Sequence, residues 1–208
     1  DDRFFGEQEP GSTQEVTVDD RQPVAVRHRQ SRCSPIGSSD VEVGGDPEAL
    51  PPWPLVADAA VKTRFLTLYN SPQDDSVQKP VLEELRARTL QHCPACGEFG
   101  TPNTLDHYLP KNRFPEFAVT AANLFPMCDT CQGWKGQKAL NTNGERLFLH
   151  PYFDAFLDAQ VIQLVIGEPY GAPVSMHLRA HVDLDEELRS LVARHLQSLN
   201  IATRYYHF

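Results

Sequence analysis

The chain has 208 residues, which is enough for one domain with a hydrophobic core of ordinary size. Its formal net charge is -9, from 19 basic and 28 acidic residues, so the chain as a whole lacks the basic surface typical of nucleic-acid-binding proteins. The longest apolar runs, such as 161–166, are much shorter than the roughly 18 residues that a transmembrane helix needs. Since no charged-then-apolar signal segment is present, we expect a cytoplasmic protein without a membrane-spanning helix.

The acidic residues are concentrated toward the N-terminal end. Residues 1–60 contain 5 basic and 12 acidic residues, whereas residues 92–150 contain 5 of each. The first 58 residues are also rich in Gly, Pro and Ser and show no persistent apolar period, which predicts a low-complexity, extended N-terminal arm without its own core. Because the middle segment is close to neutral, its affinity for nucleic acid would have to be local or supplied by a partner.

The helical pattern first becomes persistent at Ser76, a candidate N-cap, and keeps one apolar face as far as His92. A second helix is predicted to begin near Cys128. The last helix is predicted to begin at Asp183, with Glu186 three residues further on as a capping-box partner. Strands are predicted at 146–150, 161–166 and 174–182.

These elements predict an α+β fold in three parts. Residues 1–58 form the N-terminal arm, residues 59–150 form a central domain that includes the first helix, and residues 151–208 form a C-terminal extension of strands and a helix. The residues with metal-binding or catalytic chemistry are concentrated in the central part.

Four of the five cysteines form two C-x-x-C pairs, Cys93/Cys96 and Cys128/Cys131, with 31 residues between them. Each short turn can direct two thiolates at one ion about 2.3 Å away, so the two pairs together predict a tetrahedral structural Zn²⁺ site. A redox or disulfide pair is the alternative, but a redox motif would not need a second copy and cytosolic disulfides are uncommon. Cys33, in the predicted arm, has no partner at a suitable spacing.

An Asp-His pair lies between the two cysteine pairs, in the stretch "LDHYLPK" where Asp106 and His107 precede Pro110 and Lys111. An isolated Asp-His pair before a proline would be interpreted as turn chemistry. Here, metal ligation would clamp both ends of the segment and hold its side chains in a fixed geometry. The pair is therefore expected on a metal-pinned scaffold rather than in a free loop.

The ordered set of motifs over about residues 90–150 resembles the HNH endonuclease family. The similar features are the first C-x-x-C pair, the Asp-His followed by Pro, a downstream Asn, and a second C-x-x-C that opens a helix with a Lys nearby. In this sequence they are Cys93/Cys96, Asp106-His107 with Pro110, Asn123, Cys128/Cys131 and Lys135. The resemblance implies a small zinc-stapled ββα-metal fold and the hydrolysis of phosphodiester bonds in nucleic acid, with DNA as the expected substrate and RNA as the open alternative.

The residue types suit that reaction. His107 is the predicted general base, because a neutral imidazole can take a proton from water near neutral pH. Asp106 is the predicted oxygen ligand of a catalytic Mg²⁺ or Mn²⁺, and Asn123 the predicted positioning residue. The family commonly places His or Asn directly after the last cysteine as the second metal ligand, whereas this chain has Gln132, whose side chain is one methylene longer than that of Asn. His150, in "FLHPYFD", is the other candidate for this ligand.

The C-terminal third, with "RLFLHPYFDAF" and "HLQSLNIATRYYHF", looks like the HNH subfamily encoded beside ATPases in anti-phage defence loci, such as the nuclease subunits of Septu systems and some retrons. That likeness implies a partner ATPase, which Tyr205, Tyr206 and Phe208 are candidates to contact. A second class of function stays open: a zinc-stapled module that binds nucleic acid or protein and whose nuclease site has decayed at Gln132.

Overall fold

The structure, a computed structural model, describes residues 51–167 and 175–206 and has the predicted α+β character. Its helices are α1 (Ala59–Asn70), α2 (Gln78–Arg86), α3 (Asp129–Lys135), α4 (Glu186–Ser198) and α5 (Ile201–Tyr206). Its strands are β1 (Thr104–His107), β2 (Leu124–Met127), β3 (Ile162–Ile166) and β4 (Met176–Ala180). No helix in these ranges has the length and apolarity needed to cross a lipid bilayer.

The predicted N-terminal arm lies outside the described residues up to position 50. Its last eight residues, 51–58, are described and contact the rest of the chain. The Trp53 N–H donates a hydrogen bond of 2.7 Å to Glu116 Oε1, and Val56 is buried within the short 3-10 turn Pro54–Ala57. Asp58 then caps α1 by accepting a hydrogen bond of 2.7 Å from the Ala60 N–H.

The centre of the fold is an antiparallel hairpin of β1 and β2, in which Thr104 pairs with Met127 and His107 pairs with Leu124. All four residues of β2 are buried, as expected for a strand covered on both faces. The chain leaves β2 directly into α3, whose first turn is capped by the sulfur of Cys128. Residues 104–135 therefore follow the order strand, strand, helix.

Two hydrophobic clusters cover the hairpin. Side chains of a strand alternate between its faces, so each face needs its own cover. The smaller cluster joins α1 and α2 to the hairpin through Tyr69, Leu82, Leu85, Leu105, Ala118 and Leu124. The larger cluster joins three of the paired cysteines to α4 and α5, and it includes Met127, Cys131, Leu191, Val192, Leu199 and Ile201. The buried core thus continues across residue 150, from the predicted central domain into the predicted extension.

The predicted strands at 161–166 and 174–182 are present as the hairpin of β3 and β4, with Ile162 opposite Ala180. The helix predicted from Asp183 is also present, as α4, but it begins at Glu186 with Asp185 as its N-cap, so the predicted start at Asp183 is wrong. Asp185 Oδ1 accepts a hydrogen bond of 2.8 Å from the Leu188 N–H, which fixes the first turn at this point.

The first predicted helix is shorter than its apolar pattern, since α2 ends at Arg86 and does not reach His92. Ser76 does not cap it, because the Ser76 hydroxyl donates to the Gln73 carbonyl, 2.7 Å away. The predicted helix near Cys128 is confirmed as α3.

The predicted strand at 146–150 is wrong, since the structure has only an isolated bridge between Leu140 and Arg146 there. Side chains take the backbone groups that a partner strand would use. The Phe148 carbonyl accepts from the Tyr108 hydroxyl at 2.9 Å, and the Leu149 N–H donates to His195 Nδ1 at 3.1 Å. The segment is therefore held in place by these hydrogen bonds without joining a sheet.

Candidate active site and metal centre

The four paired cysteines converge on one point. The Sγ atoms of Cys93, Cys96, Cys128 and Cys131 all lie within 4.8 Å of one another, and those of Cys96 and Cys128 are 4.0 Å apart. All four are free thiols. Sulfurs bound tetrahedrally at about 2.3 Å are separated by roughly 3.8 Å, so the cluster has the geometry of a zinc-binding module.

Hydrogen bonds to the sulfurs support this geometry. The Cys128 N–H donates to Cys93 Sγ at 3.3 Å, and the Cys131 N–H donates to Cys128 Sγ at 3.4 Å. From α5, the Arg204 guanidinium donates to Cys131 Sγ at 3.2 Å and to Cys96 Sγ at 3.5 Å. Four thiolates around a divalent cation carry a charge of -2, and Arg204 offsets part of it. The sequence analysis missed this residue.

Asp106 lies on the face of β1 that faces α3. Its side chain lies beside Gln132, whose Nε2 is 3.4 Å from Asp106 Oδ1. The Lys135 ammonium is 3.0 Å from Asp106 Oδ2, but outside hydrogen-bond geometry, so Oδ2 is a buried oxygen with no hydrogen-bond partner in the described part of the chain. Burial raises the pKa of Asp106 and lowers that of Lys135, while their mutual attraction opposes both shifts.

Lys135 is almost fully enclosed, with 1% of its surface exposed. Its ammonium also donates a hydrogen bond of 2.6 Å to the His107 carbonyl and lies 5.6 Å from the centre of the Phe148 ring. A buried ammonium is stable only when it is paired and hydrogen-bonded, and these contacts meet that need. A metal ion at Asp106 would therefore share the carboxylate with the Lys135 ammonium.

His107 points to the other face of β1, toward α1 and the turn at 115–117. Its ring meets the edge of Tyr69, with ring centres 4.4 Å apart, and its Nε2 is 2.9 Å from the Ala118 carbonyl. Because a carbonyl only accepts, Nε2 carries the proton, and Nδ1 has an available lone pair. Burial lowers the pKa of His107 to about 4, and the nearby cations add to the shift. The imidazole is therefore neutral near pH 7.

Asn123 fastens the loop that carries Ala118. Its Oδ1 accepts from the Leu109 N–H at 2.7 Å, and its Nδ2 donates to the carbonyls of Leu109 and Phe117, both at 3.1 Å. These contacts use both ends of the amide. Asn123 thus positions the loop that contacts the His107 ring.

His150 is enclosed by aromatic side chains, among them Tyr108 at 4.3 Å and Phe153 at 4.5 Å between ring centres. Its Nδ1 accepts from the Tyr152 N–H at 3.2 Å. Burial lowers its pKa to about 4. Of the two candidates for the second metal ligand, Gln132 is the one that contacts Asp106.

The ion pair of Asp106 and Lys135 predicts a clear stability effect. Replacing Lys135 with methionine keeps most of the volume and leaves the Asp106 carboxylate buried without a compensating positive charge. We expect the free energy of unfolding in Mg²⁺-free buffer to fall by about 3–5 kcal/mol. If the carboxylate binds a metal, adding Mg²⁺ or Mn²⁺ should restore more stability to the variant than to the parent.

Urea denaturation of both proteins measures this effect. Lys138→Met is the matched control, because Lys138 is exposed and has no carboxylate within ion-pair distance in the described chain. Its unfolding free energy should change by no more than about 0.5 kcal/mol. Equal stability of the two variants would show that the buried pair contributes nothing specific.

The chain is similar to Protein ea31 of Escherichia phage lambda, with 32% identity over 164 residues. The similar region covers 75% of this chain and 54% of the phage protein, so the chain spans about half the length of that relative. Comparison with models of protein families finds no match. No solved structure matches the chain either.

Proposed function

We propose that the chain is a metal-dependent endonuclease of the HNH type, built on the ββα unit of β1, β2 and α3. The observation that carries the proposal is the contact between Asp106 on β1 and Gln132 on α3. The residue next to Asp106, His107, has a neutral imidazole. The clustered cysteines, which we expect to hold a structural Zn²⁺, fix α3 against the hairpin and so keep this geometry.

In this proposal His107 Nδ1 takes a proton from a water molecule. The water oxygen bonds to phosphorus, and the bond from phosphorus to the 3′ oxygen breaks with its electron pair on that oxygen. The hydrogen bond from Nε2 to the Ala118 carbonyl holds the ring and stabilises its protonated form. With a pKa of about 4 the free imidazole is a weak base, and the negative charge of a bound phosphate would raise that pKa.

Asp106 and Gln132 are the residues that would hold Mg²⁺ or Mn²⁺. The buried Oδ2 of Asp106 lacks a hydrogen bond, and a rotation of the Gln132 amide would present its oxygen on the same side. Two protein oxygens suit a Mg²⁺ that keeps several of its waters. The ion would supply positive charge for the nonbridging phosphate oxygen and the departing 3′ oxygen.

The substrate and the setting are proposals that rest on the family resemblance. DNA is the proposed substrate, and the proposed role is that of a cytoplasmic effector in an anti-phage defence complex with a partner ATPase. The net charge of -9 supports a partner that helps to hold the nucleic acid.

The second candidate is a zinc-stapled binding module with a decayed nuclease site. Two observations favour it. The Lys135 ammonium already lies next to Asp106, and the contacts of Asp106 and His107 are on opposite faces of β1. A scissile phosphate would therefore have to reach both residues around the end of the strand.

Incubation of the full chain with supercoiled plasmid and Mg²⁺ or Mn²⁺, with and without the partner ATPase, tests the proposal. We expect cleavage that needs the added metal. Asp106→Ala and Gln132→Ala should each raise the Mn²⁺ concentration needed, because each removes an oxygen ligand, whereas His150→Gln should not. A parent chain that cuts neither DNA nor RNA under any of these conditions would leave the binding module as the function.

A further inference from the structure

Two cations lie against the aromatic ring that contacts the His107 side chain. The Lys111 ammonium is 4.3 Å and the Arg86 guanidinium 5.3 Å from the centre of the Tyr69 ring, and the His107 ring centre is 4.4 Å from the same point. The four residues come from α1, α2, the end of β1 and the loop after it. The fold thus brings two positive charges from distant parts of the sequence to one side chain beside the candidate base.

Neither of these two cations forms an ion pair in the described part of the chain. In the described ranges, no carboxylate lies within 4.0 Å of Arg86 or Lys111, and the polar partner of Lys111 is the neutral Asn70 Oδ1 at 3.0 Å. Six other cations in these ranges do have a carboxylate partner: Lys79, Lys135, Arg146, Arg189, Arg194 and Arg204. What distinguishes Arg86 and Lys111 is that both lie over one aromatic ring that contacts His107.

The two cations also repel each other. Burial lowers the pKa of Lys111, the charge of Arg86 adds to that shift, and the charge of Asp106 opposes it. Cation–π contacts at exposed positions are weak, so Tyr69 offsets the repulsion only in part. A multivalent oxyanion that contacts both cations would offset it, since Arg presents a planar fork to two oxygens and Lys contributes a point charge.

We propose that Arg86, Lys111 and the intervening Tyr69 ring form a binding site for a backbone phosphate of the nucleic acid, adjacent to the phosphate that reacts at His107. Tyr69 fixes the site to β1, because its hydroxyl donates a hydrogen bond of 3.0 Å to the Leu105 carbonyl. Arg86 and Lys111 are positioning residues that hold the strand in register with the imidazole. The inference rests on the proposed function. Because the chain as a whole is acidic, these two cations would supply local electrostatic binding of the nucleic acid.

Salt-dependent binding tests the site without cleavage. The full chain carrying His107→Ala is titrated into fluorescently labelled duplex DNA at a series of NaCl concentrations, alone and with Arg86→Gln/Lys111→Gln. Both cations contact one phosphate, so the double variant should lose about 0.9 from the slope of log Kd against log salt concentration and bind at least roughly tenfold more weakly at low salt. The variant Arg86→Gln/Lys111→Arg, which keeps one cation at the site, should retain part of that slope.

The matched control is Arg64→Gln/Arg179→Gln, which removes the same net charge from exposed side chains on α1 and β4. Its slope should equal that of the His107→Ala chain. Equal slopes for the two double variants, absence of DNA binding, or binding of inorganic phosphate alone would overturn the site. If the proposed function fails but the phosphate site is correct, the result is different. The salt slopes would be as predicted, but the chain with His107 intact would not cut the DNA.

Discussion

Replacing Cys128 with serine is expected to release the metal and unfold the chain. Structural zinc sites contribute an apparent binding free energy of about 10–16 kcal/mol, whereas whole domains are stable by only about 5–15 kcal/mol. If loss of one thiolate releases the metal, the binding free energy that is lost is as large as the whole stability of the fold. Unfolding should extend beyond the two C-x-x-C turns, because Cys131 shares a buried cluster with Leu191 and Val192 of α4.

Elemental analysis and circular dichroism measure both parts of this prediction. The parent should contain about one zinc per chain, and Cys128→Ser should contain almost none and lose its cooperative thermal transition. Cys33→Ser is the matched control, because Cys33 has no partner at metal-ligand spacing, and it should keep the zinc and the parental melting temperature. A folded, reduced parent without any bound metal would refute the prediction.

Replacing His107 with alanine should lower the rate of DNA cleavage by about 10²- to 10⁴-fold, the usual contribution of a general base. The variant should keep its zinc, since the cysteine ligands lie on other turns of the chain. His107 is 6% exposed, so the alanine variant also leaves a cavity. His107→Gln is the second variant, because its amide can still donate to the Ala118 carbonyl but cannot accept a proton near neutral pH.

His177→Ala is the matched control for the assay, since His177 is exposed on β4. Its cleavage rate should equal that of the parent. The assignment of the base fails if both His107 variants, folded and zinc-loaded, cut DNA as fast as His177→Ala does.

The local motifs were predictable from the sequence because their partners are near in the chain or fixed by spacing. Two C-x-x-C turns supply the four thiolates that one shared ion needs, and Cys128 with the residues after it has the pattern of a helix start. The Asp-His pair and Asn123 were located by their order relative to these turns. The structure gives Asn123 the hydrogen bonds of a positioning residue.

Contacts between distant charged side chains were not predictable. Lys135 looks like an ordinary surface lysine in the last turn of α3, and only the fold shows that it is buried against Asp106. Helix α1 gave no clear apolar period, because Tyr69 is its only buried residue. The extended segment 146–150 had the composition of a strand, but its backbone groups bond to side chains such as His195.

The contact between Arg204 and the cysteine sulfurs has a consequence for the order of assembly. Arg204 follows Cys131 by 73 residues, so during synthesis all four thiols leave the ribosome long before the guanidinium does. The knuckles can capture their ion at that stage as a dianionic complex, which gains its compensating charge only when α5 docks. Release of the ion would then be expected in the opposite order, with the contact of Arg204 to the sulfurs lost first.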